Sequence, residues 1–272
     1  DMTGIPVITS CSPGWVKFME TYFADIKHHV SSAKSPQQMF GTLSKTYYPE
    51  KTNIDAKDIV SVSIMPCTAK KYEADRPEMT DSGYKDVDYV LTTREIQRMI
   101  KEAGIDFANL PESPAEEMMG AYTGAATIFG ATGGVMEAAL RTAYFVLAGH
   151  DLENLDIEPV RGLEGVKEAS VPIPLKEELQ KELGVEEFTV NVAVAHGLGN
   201  ARGLLDKVKK QIAEDGASKY HFIEVMACPG GCVGGGGQPH GCDLLCKGTR
   251  AAGLYKEDKE MLEFRCSHHN PS

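Results

Sequence analysis

The stretch EVMACPGGCVGGGGQP, Glu224–Pro239, places two cysteines, separated by three residues, at the end of an apolar run and follows them with four consecutive glycines. Read with the residues before it, HFIEVMAC (His221–Cys228) is a short apolar segment that ends in turn-forming residues, the mark of a buried strand. Glycine loses more backbone entropy on folding than any other residue, so a glycine run in a compact chain means that something approaches that backbone closely. Four further segments read as buried strands: Ile5–Ser10, Ile59–Met65, Asp86–Thr93 and Thr189–Gly197. Between them lie segments of helical period, TREIQRMIKEAG, TGGVMEAALRTAYFVLAG and GNARGLLDKVKKQIAEDG. Alternating strands and helices predict an α/β protein with largely parallel sheets. The acidic, proline-bearing middle, Leu152 to Glu187, reads as a surface excursion or a connection between two lobes. With no long flexible linker in view, we expect residues 1–272 to form a single domain of two lobes packed around one site.

Composition narrows the partners. The chain has 272 residues, 42% of them hydrophobic and 25% charged, and a formal net charge of -11. That balance argues against nucleic acid or an anionic membrane as the main partner, since both call for a basic face. No apolar run reaches the roughly 18 residues of a membrane span, and the first residues show no export signal. We therefore expect a soluble, cytoplasmic protein. Asp1 reads as the start of a fragment or of a mature chain rather than as an initiator.

Seven cysteines, an odd number in a chain that needs no staples, point to metal or redox chemistry rather than to a disulfide framework. Three predicted strands end on a cysteine or within two residues of one: Cys11, Cys67 and Cys228. Carboxyl ends of parallel strands are where such folds build their sites. With Cys232 these supply four thiols from three loops, and a cubane iron–sulfur cluster takes four thiolates. A structural zinc site also takes four, but usually as two close pairs, whereas Cys11 and Cys67 stand alone. Spacing leaves both metals open.

Three stretches, TSCSPGW (Thr9–Trp15), MPCTAKKYEADRPE (Met65–Glu78) and the glycine-rich Glu224–Pro239, resemble the signatures of the iron-only (FeFe) hydrogenases, supported by SSAKSPQQMFG and FGATGGVMEAALR. The resemblance runs from Thr9 almost to the last residue. It implies two lobes, each a mostly parallel sheet flanked by helices, with the metal cluster at the interface between them. The implied cofactor, the H-cluster, is a 4Fe-4S cubane joined through a cysteine sulfur to a di-iron unit carrying CO, CN and a bridging dithiolate amine. By the same carry-over Cys67 and Cys228 bind the cubane and Cys232 binds it while bridging to the di-iron unit. Gly230, Gly231 and Gly234 let the backbone wrap the cluster, and Met65 and Met226 line the di-iron half. Lys70 resembles the family's cyanide partner, Glu73 a structural partner and Ser31 a proton-relay hydroxyl.

Two departures shape the expectations. The family usually has adjacent cysteines in the first stretch, a relay thiol and then a cubane ligand, where this chain has Cys11 followed by Ser12. Iron–sulfide chemistry favours a thiolate over a harder serine alkoxide, so Cys11 is assigned as the fourth ligand and Ser12 as a hydroxyl relay, with the opposite assignment open. The front segment of the family is missing, as are ferredoxin-like cluster domains. Electrons are then expected from ferredoxin or another electron-carrier protein, and another chain is expected to complete the lobe unless this is a small member. The implied function is reversible reduction of protons to H2; the alternative is a hydrogen or redox sensor, or an iron–sulfur assembly relative. Beyond the signatures, Cys242, Cys246 and Cys266 are read as packing residues, with a second cluster or metal held alongside His240, His268 or His269 as the alternative. His28 and His29 are read as solvated.

Overall fold

The computed structural model describes residues 5–114, 116, 118–119, 121–260 and 264–271. In chain order its strands and α-helices are β1 (Val7–Ile8), α1 (Pro13–Tyr22), α2 (Pro36–Ser44), α3 (Tyr47–Thr52), β2 (Val62–Met65), α4 (Ala69–Ala74), β3 (Tyr89–Thr92), α5 (Thr93–Glu102), α6 (Gly124–Ile128), α7 (Gly134–Ala148), β4 (Val166–Pro174), α8 (Glu177–Leu183), β5 (Glu187–His196), α9 (Leu198–Asp215), β6 (Phe222–Met226) and α10 (Leu244–Glu260). They fall into two compact units. The first is drawn from Asp1–Ser31, Tyr122–Val233 and Asp243–Asn270, the second from Ser32–Ala121, Gly234–Cys242 and Pro271–Ser272.

The first unit is built on a four-stranded sheet in the order β1-β6-β5-β4. β1 and β5 both run parallel to β6, and β4 pairs antiparallel with β5. The alternation of side chains explains its burial. Val190, Val192 and Val194 of β5 point to a core shared with Met136 and Leu140 of α7, while Ala193 and Ala195 join Ile223 and Val225 of β6 against Trp15, Met19, Leu204 and Leu205. A strand covered on both faces is apolar at nearly every position, which is how VNVAVA and FIEVM read. Glu224 is the exception: fully buried, its carboxylate accepts from Gly133 N (2.7 Å) and Met136 N (2.8 Å) at the start of α7. Burial pushes its carboxyl above the usual range, against those amide donors.

The segment Leu152 to Glu187 is not a loop excursion or a connection between lobes. It contributes β4, paired with β5 over nine residues, and α8, both within the first unit. Pro172 and Pro174 lie on this edge strand, where a missing N–H costs no ladder bond on the open side, so proline disguised a strand.

The second unit carries a two-stranded parallel sheet, β2 beside β3, with Val62 opposite Tyr89 and Met65 opposite Thr92. One face packs Val90 and Met65 against Ala74 and Val87. The other does not read as the expected buried strand: Val62 and Ile64 are 52% and 56% exposed and Tyr89 63%. Local sequence fixes the turn from β3 into α5. Thr92 Oγ1 accepts from Glu95 N and Glu95 Oε2 from Thr92 N, a capping box written as Thr92-x-x-Glu95, and those donors with Lys71 pull the Glu95 carboxyl down to about 2.

His29 is not solvated. It is 6% exposed in the 3-10 turn Ala24–His29, drawn inward with Ile26 because Val30 bridges to Ile8. Cys242 and Cys246 are neither packing thiols nor free ligands; both are disulfide-bonded. Among the described residues no helix is long and apolar enough to cross a membrane.

Arg141 ties α7 to α10 in the first unit. Its guanidinium donates to both Asp258 oxygens (2.9 Å each) and to Glu137 Oε1 (2.7 Å), and all three side chains are buried. Arg141→Met removes one of the two guanidinium partners of each buried carboxylate, Glu137 keeping Arg161 and Asp258 keeping Arg265, and is expected to cost about 1.5–3 kcal/mol, read as a lowered denaturant midpoint. The Arg141→Met/Asp258→Leu double variant is expected to recover part of that loss.

Candidate metal centre

In the first unit three thiols gather at the carboxyl end of the sheet. β1 and β6 are parallel neighbours, with Ile8 opposite Ile223, so the residues after each strand leave on the same side. Hydrogen bonds hold the two exits together. Val225 N donates to Thr9 Oγ1 (3.0 Å), Ala227 N to Ser12 Oγ (3.2 Å), and Trp15 Nε1 back to Thr9 O (2.9 Å). Gly14 lies so close that an added Cβ would meet Ala227 Cβ at 3.0 Å. Cys11 and Ser12 therefore face the loop of Cys228. Ser31 belongs to the same end, its N–H bonded to Ile8 O at 2.8 Å. Met226 ends β6, 4% exposed.

The loop from Cys228 to Cys232 turns on two glycines. Gly230 and Gly231 have φ of +87° and +89°, a region that costs any residue with a Cβ. At Gly231 a Cβ would lie 2.6 Å from Thr132 N, so this glycine is demanded by the protein's own backbone at 131–132. Gly237 behaves alike in the second unit, where a Cβ would meet Pro66 C and Thr92 Cβ at 2.9 Å each. Close backbone approach is thus the reason for glycine at both positions, and the atoms approached are polypeptide. Gly234 ends the 3-10 turn Cys232–Gly234, from which the chain passes to the second unit.

His196 carries no sequence signal of its own, although it ends β5 as cysteines end other strands. Its Nε2 lies 3.1 Å from Leu163 O, and Gly230 N donates to its Nδ1 at 3.1 Å. The ring is therefore neutral with its proton on Nε2, and it holds the middle of the cysteine loop. Burial, aided by the charges of Lys167 and Lys247, keeps its pKa below the ordinary value.

In the second unit Cys67 follows β2 and Lys70 lies in the first turn of α4. The Lys70 ammonium, 8% exposed, sits 3.0 Å from both oxygens of Glu73. Glu73 Oε2 also accepts from Ser35 Oγ (2.7 Å) and Gln37 Nε2 (3.2 Å), and Gln37 Oε1 from Ser63 Oγ (2.8 Å). α2, α4 and β2 thus share one buried polar network that fixes the lysine. Met65 packs in the small core beside it.

Cys11, Cys67, Cys228 and Cys232 all keep their thiols and are all half-buried. Thiols on strand-end loops, with a buried ammonium beside one of them, fit an iron–sulfur cluster that carries anionic ligands. Fold and donor set define an α/β iron–sulfur protein.

Known proteins make this specific. The family described as iron only hydrogenase large subunit, C-terminal domain, matches residues 2–236. The chain is 51% identical over 271 residues to NADP-reducing hydrogenase subunit HndD of Solidesulfovibrio fructosivorans, covering 98% of this chain and 43% of that one. It is 49% identical over 270 residues to Iron hydrogenase 1 of Clostridium pasteurianum, covering 97% and 44%. A solved variant of FeFe-hydrogenase HydA1 from Chlamydomonas reinhardtii superposes with a TM-score of 0.79 at 43% identity, covering 98% of this chain and 69% of that one. The chain belongs to the iron-only hydrogenase large-subunit family and spans less than half the length of these two curated relatives.

The lowered pKa of His196 has a consequence for stability. Below the unfolded value of about 6.5 the unfolded chain takes up a proton that the folded imidazole refuses. Stability is then expected to fall as pH drops from about 6.5 through the folded pKa, by up to about 1.4 kcal/mol per pH unit. Urea melts of cluster-free protein at several pH values should show this slope, and His196→Gln should lack it.

Proposed function

We propose that this chain is the catalytic part of an iron-only hydrogenase and interconverts protons, electrons and H2 at an H-cluster. Cys11, Cys67, Cys228 and Cys232 would hold a 4Fe-4S cubane, and Cys232 would also hold a di-iron unit with CO, CN and a dithiolate. The observation behind this reading is the set of thiols: three at one sheet end in the first unit, and a fourth in the second beside a buried, carboxylate-fixed Lys70. When bound, the cofactor supplies the electrons and the metal position at which H2 is made or split. The polypeptide holds it, keeps water out and moves the proton.

Lys70 offers a positive charge of fixed position to anionic ligands, and Glu73 sets that position. Met65 and Met226 supply apolar wall. Ser12 Oγ accepts from Ala227 N, which uses one lone pair and leaves its own proton and a second lone pair for relay. Ser31 is the next hydroxyl on the same side. The assembly reading needs a cubane but not Lys70, Met65, Met226 and the bridging Cys232 together; all four are present, which favours catalysis or hydrogen sensing over assembly.

Electrons arrive from ferredoxin or another carrier protein. The bare apolar face of β2 and β3, with Val60 62% exposed as well, lies far from the buried norm of parallel sheets. We read it as the seat of a polypeptide segment outside residues 1–272 that completes this sheet.

Infrared spectra of the anaerobic protein, loaded with the di-iron cofactor, are expected to show sharp bands of metal-bound CO and CN. A protein that carries its cubane and shows none overturns the hydrogenase reading. Cys11→Ala is expected to lose the cubane, seen as lost iron and lost absorption, whereas Ser12→Ala should keep it and slow turnover at least about 10²-fold. An intact cubane in Cys11→Ala reverses the assignment of the two residues.

A further inference from the structure

Cys266 takes no part in the signature stretches or in the disulfide-bonded pair. It keeps its thiol, is 4% exposed, and lies with Asp151 and His268 so that one ligand atom of each falls within 4.8 Å of the others. His269 lies beside this trio on the same carboxylate: His268 Nε2 is 2.8 Å from Asp151 Oδ1, and His269 Nε2 is 3.0 Å from Asp151 Oδ2. Two imidazoles thus converge on one carboxylate, with a buried thiol beside it.

The first imidazole is held from outside the cluster. Thr142 Oγ1 of α7 lies 3.1 Å from His268 Nδ1, and the Phe145 ring stacks on the imidazole at 4.3 Å with an interplanar angle of 17°. The Asp151 carboxylate only accepts, so Nε2 carries the proton of this hydrogen bond, and the Thr142 hydroxyl at Nδ1 fixes the ring with Nε2 turned toward Asp151 and Cys266. This is how histidine ligands are oriented in metal sites. His269 packs edge-on to Phe145 at 5.9 Å and edge-on to the His268 ring at 4.5 Å, and both histidines reach Asp151.

We propose that Asp151, Cys266, His268 and His269 bind one divalent zinc-class ion, separate from the iron–sulfur site. One thiolate, two imidazole nitrogens and one carboxylate oxygen make a four-coordinate set that this class prefers. Binding replaces the two histidine–aspartate hydrogen bonds and displaces the Cys266 proton, so it releases protons to solvent. Asp151 follows the end of α7, and the other three ligands lie on or next to the 3-10 turn Ser267–His269. The ion therefore staples the carboxyl-terminal segment to α7. The site is half open, with the Asp151 and His269 side chains 39% and 44% exposed, so metal can enter the folded protein.

The test loads protein that already carries its iron–sulfur cluster with Zn2+, removes excess metal and measures zinc and iron by mass spectrometry. The wild type is expected to hold one more zinc per chain than Cys266→Ser or His268→Gln, with iron equal in all three. Co2+ in place of Zn2+ is expected to give ligand-field bands of a tetrahedral site and a thiolate charge-transfer band that Cys266→Ser lacks. If those two variants fold poorly, two milder ones decide. His269→Gln alters a half-exposed ring and Thr142→Val removes only the orienting hydroxyl; each is expected to weaken zinc about 10- to 100-fold in competition with a chromophoric chelator. Zinc content and affinity unchanged by these substitutions, or no zinc held by the wild type, overturns the proposal.

Discussion

The parallel pairing of β1 with β6 is the constraint on which the first unit's chemistry depends. β1 is two residues long, too short to be held by ladder bonds alone, and the residues after it fix it in place: the Thr9 hydroxyl on Val225 N, the Ser12 hydroxyl on Ala227 N, and Trp15 buried beneath both. These contacts bring thiols more than 200 residues apart in sequence to one sheet end. Two-sided burial of β5 and β6 makes that end rigid, and Glu224 commits its buried carboxylate to anchoring α7 to the sheet rather than to chemistry. A carboxylate tolerates full burial there because amide donors at a helix start meet it.

The second unit solves a different problem, that of fixing the position of a buried ammonium. Lys70 does so through Glu73, which is itself bound by Ser35 and Gln37 of the α2 start. Taking away one partner of such a pair costs far more than the pair contributes, so the network acts as positioning rather than as stability. Its thin sheet contrasts with the first unit's four strands, and one of its faces leaves Val62, Ile64 and Tyr89 exposed.

Much of the fold was legible because the buried strands and helices carry strong periodic signals. Ile59–Met65, Asp86–Thr93 and His221–Cys228 contain β2, β3 and β6, Thr189–Gly197 covers all but the first two residues of β5, and the helical segments match α5, α7 and α9. β4 escaped because an edge strand admits proline and exposes alternate residues. His29 escaped because its burial comes from a bridge to β1, not from local pattern. The disulfide-bonded state of Cys242 and Cys246 escaped because no local rule separates a bonded cysteine from a packed one.

At the candidate site, residue type singles out the candidates, cysteines and a lysine that follow predicted strands. Three long stretches in order identify the family in the same way. How these residues are held is a matter of contacts in three dimensions: His196 on Gly230, Thr9 and Ser12 on the β6 exit, and Glu73 on Lys70. Tertiary contacts likewise show that Gly231 and Gly237 yield to neighbouring backbone, and that Cys266 lies with His268 and with Asp151 from another element. Ligand identity follows from side-chain type, a local property of the chain. Orientation and burial are set by contacts between residues distant in sequence, and no local pattern encodes them.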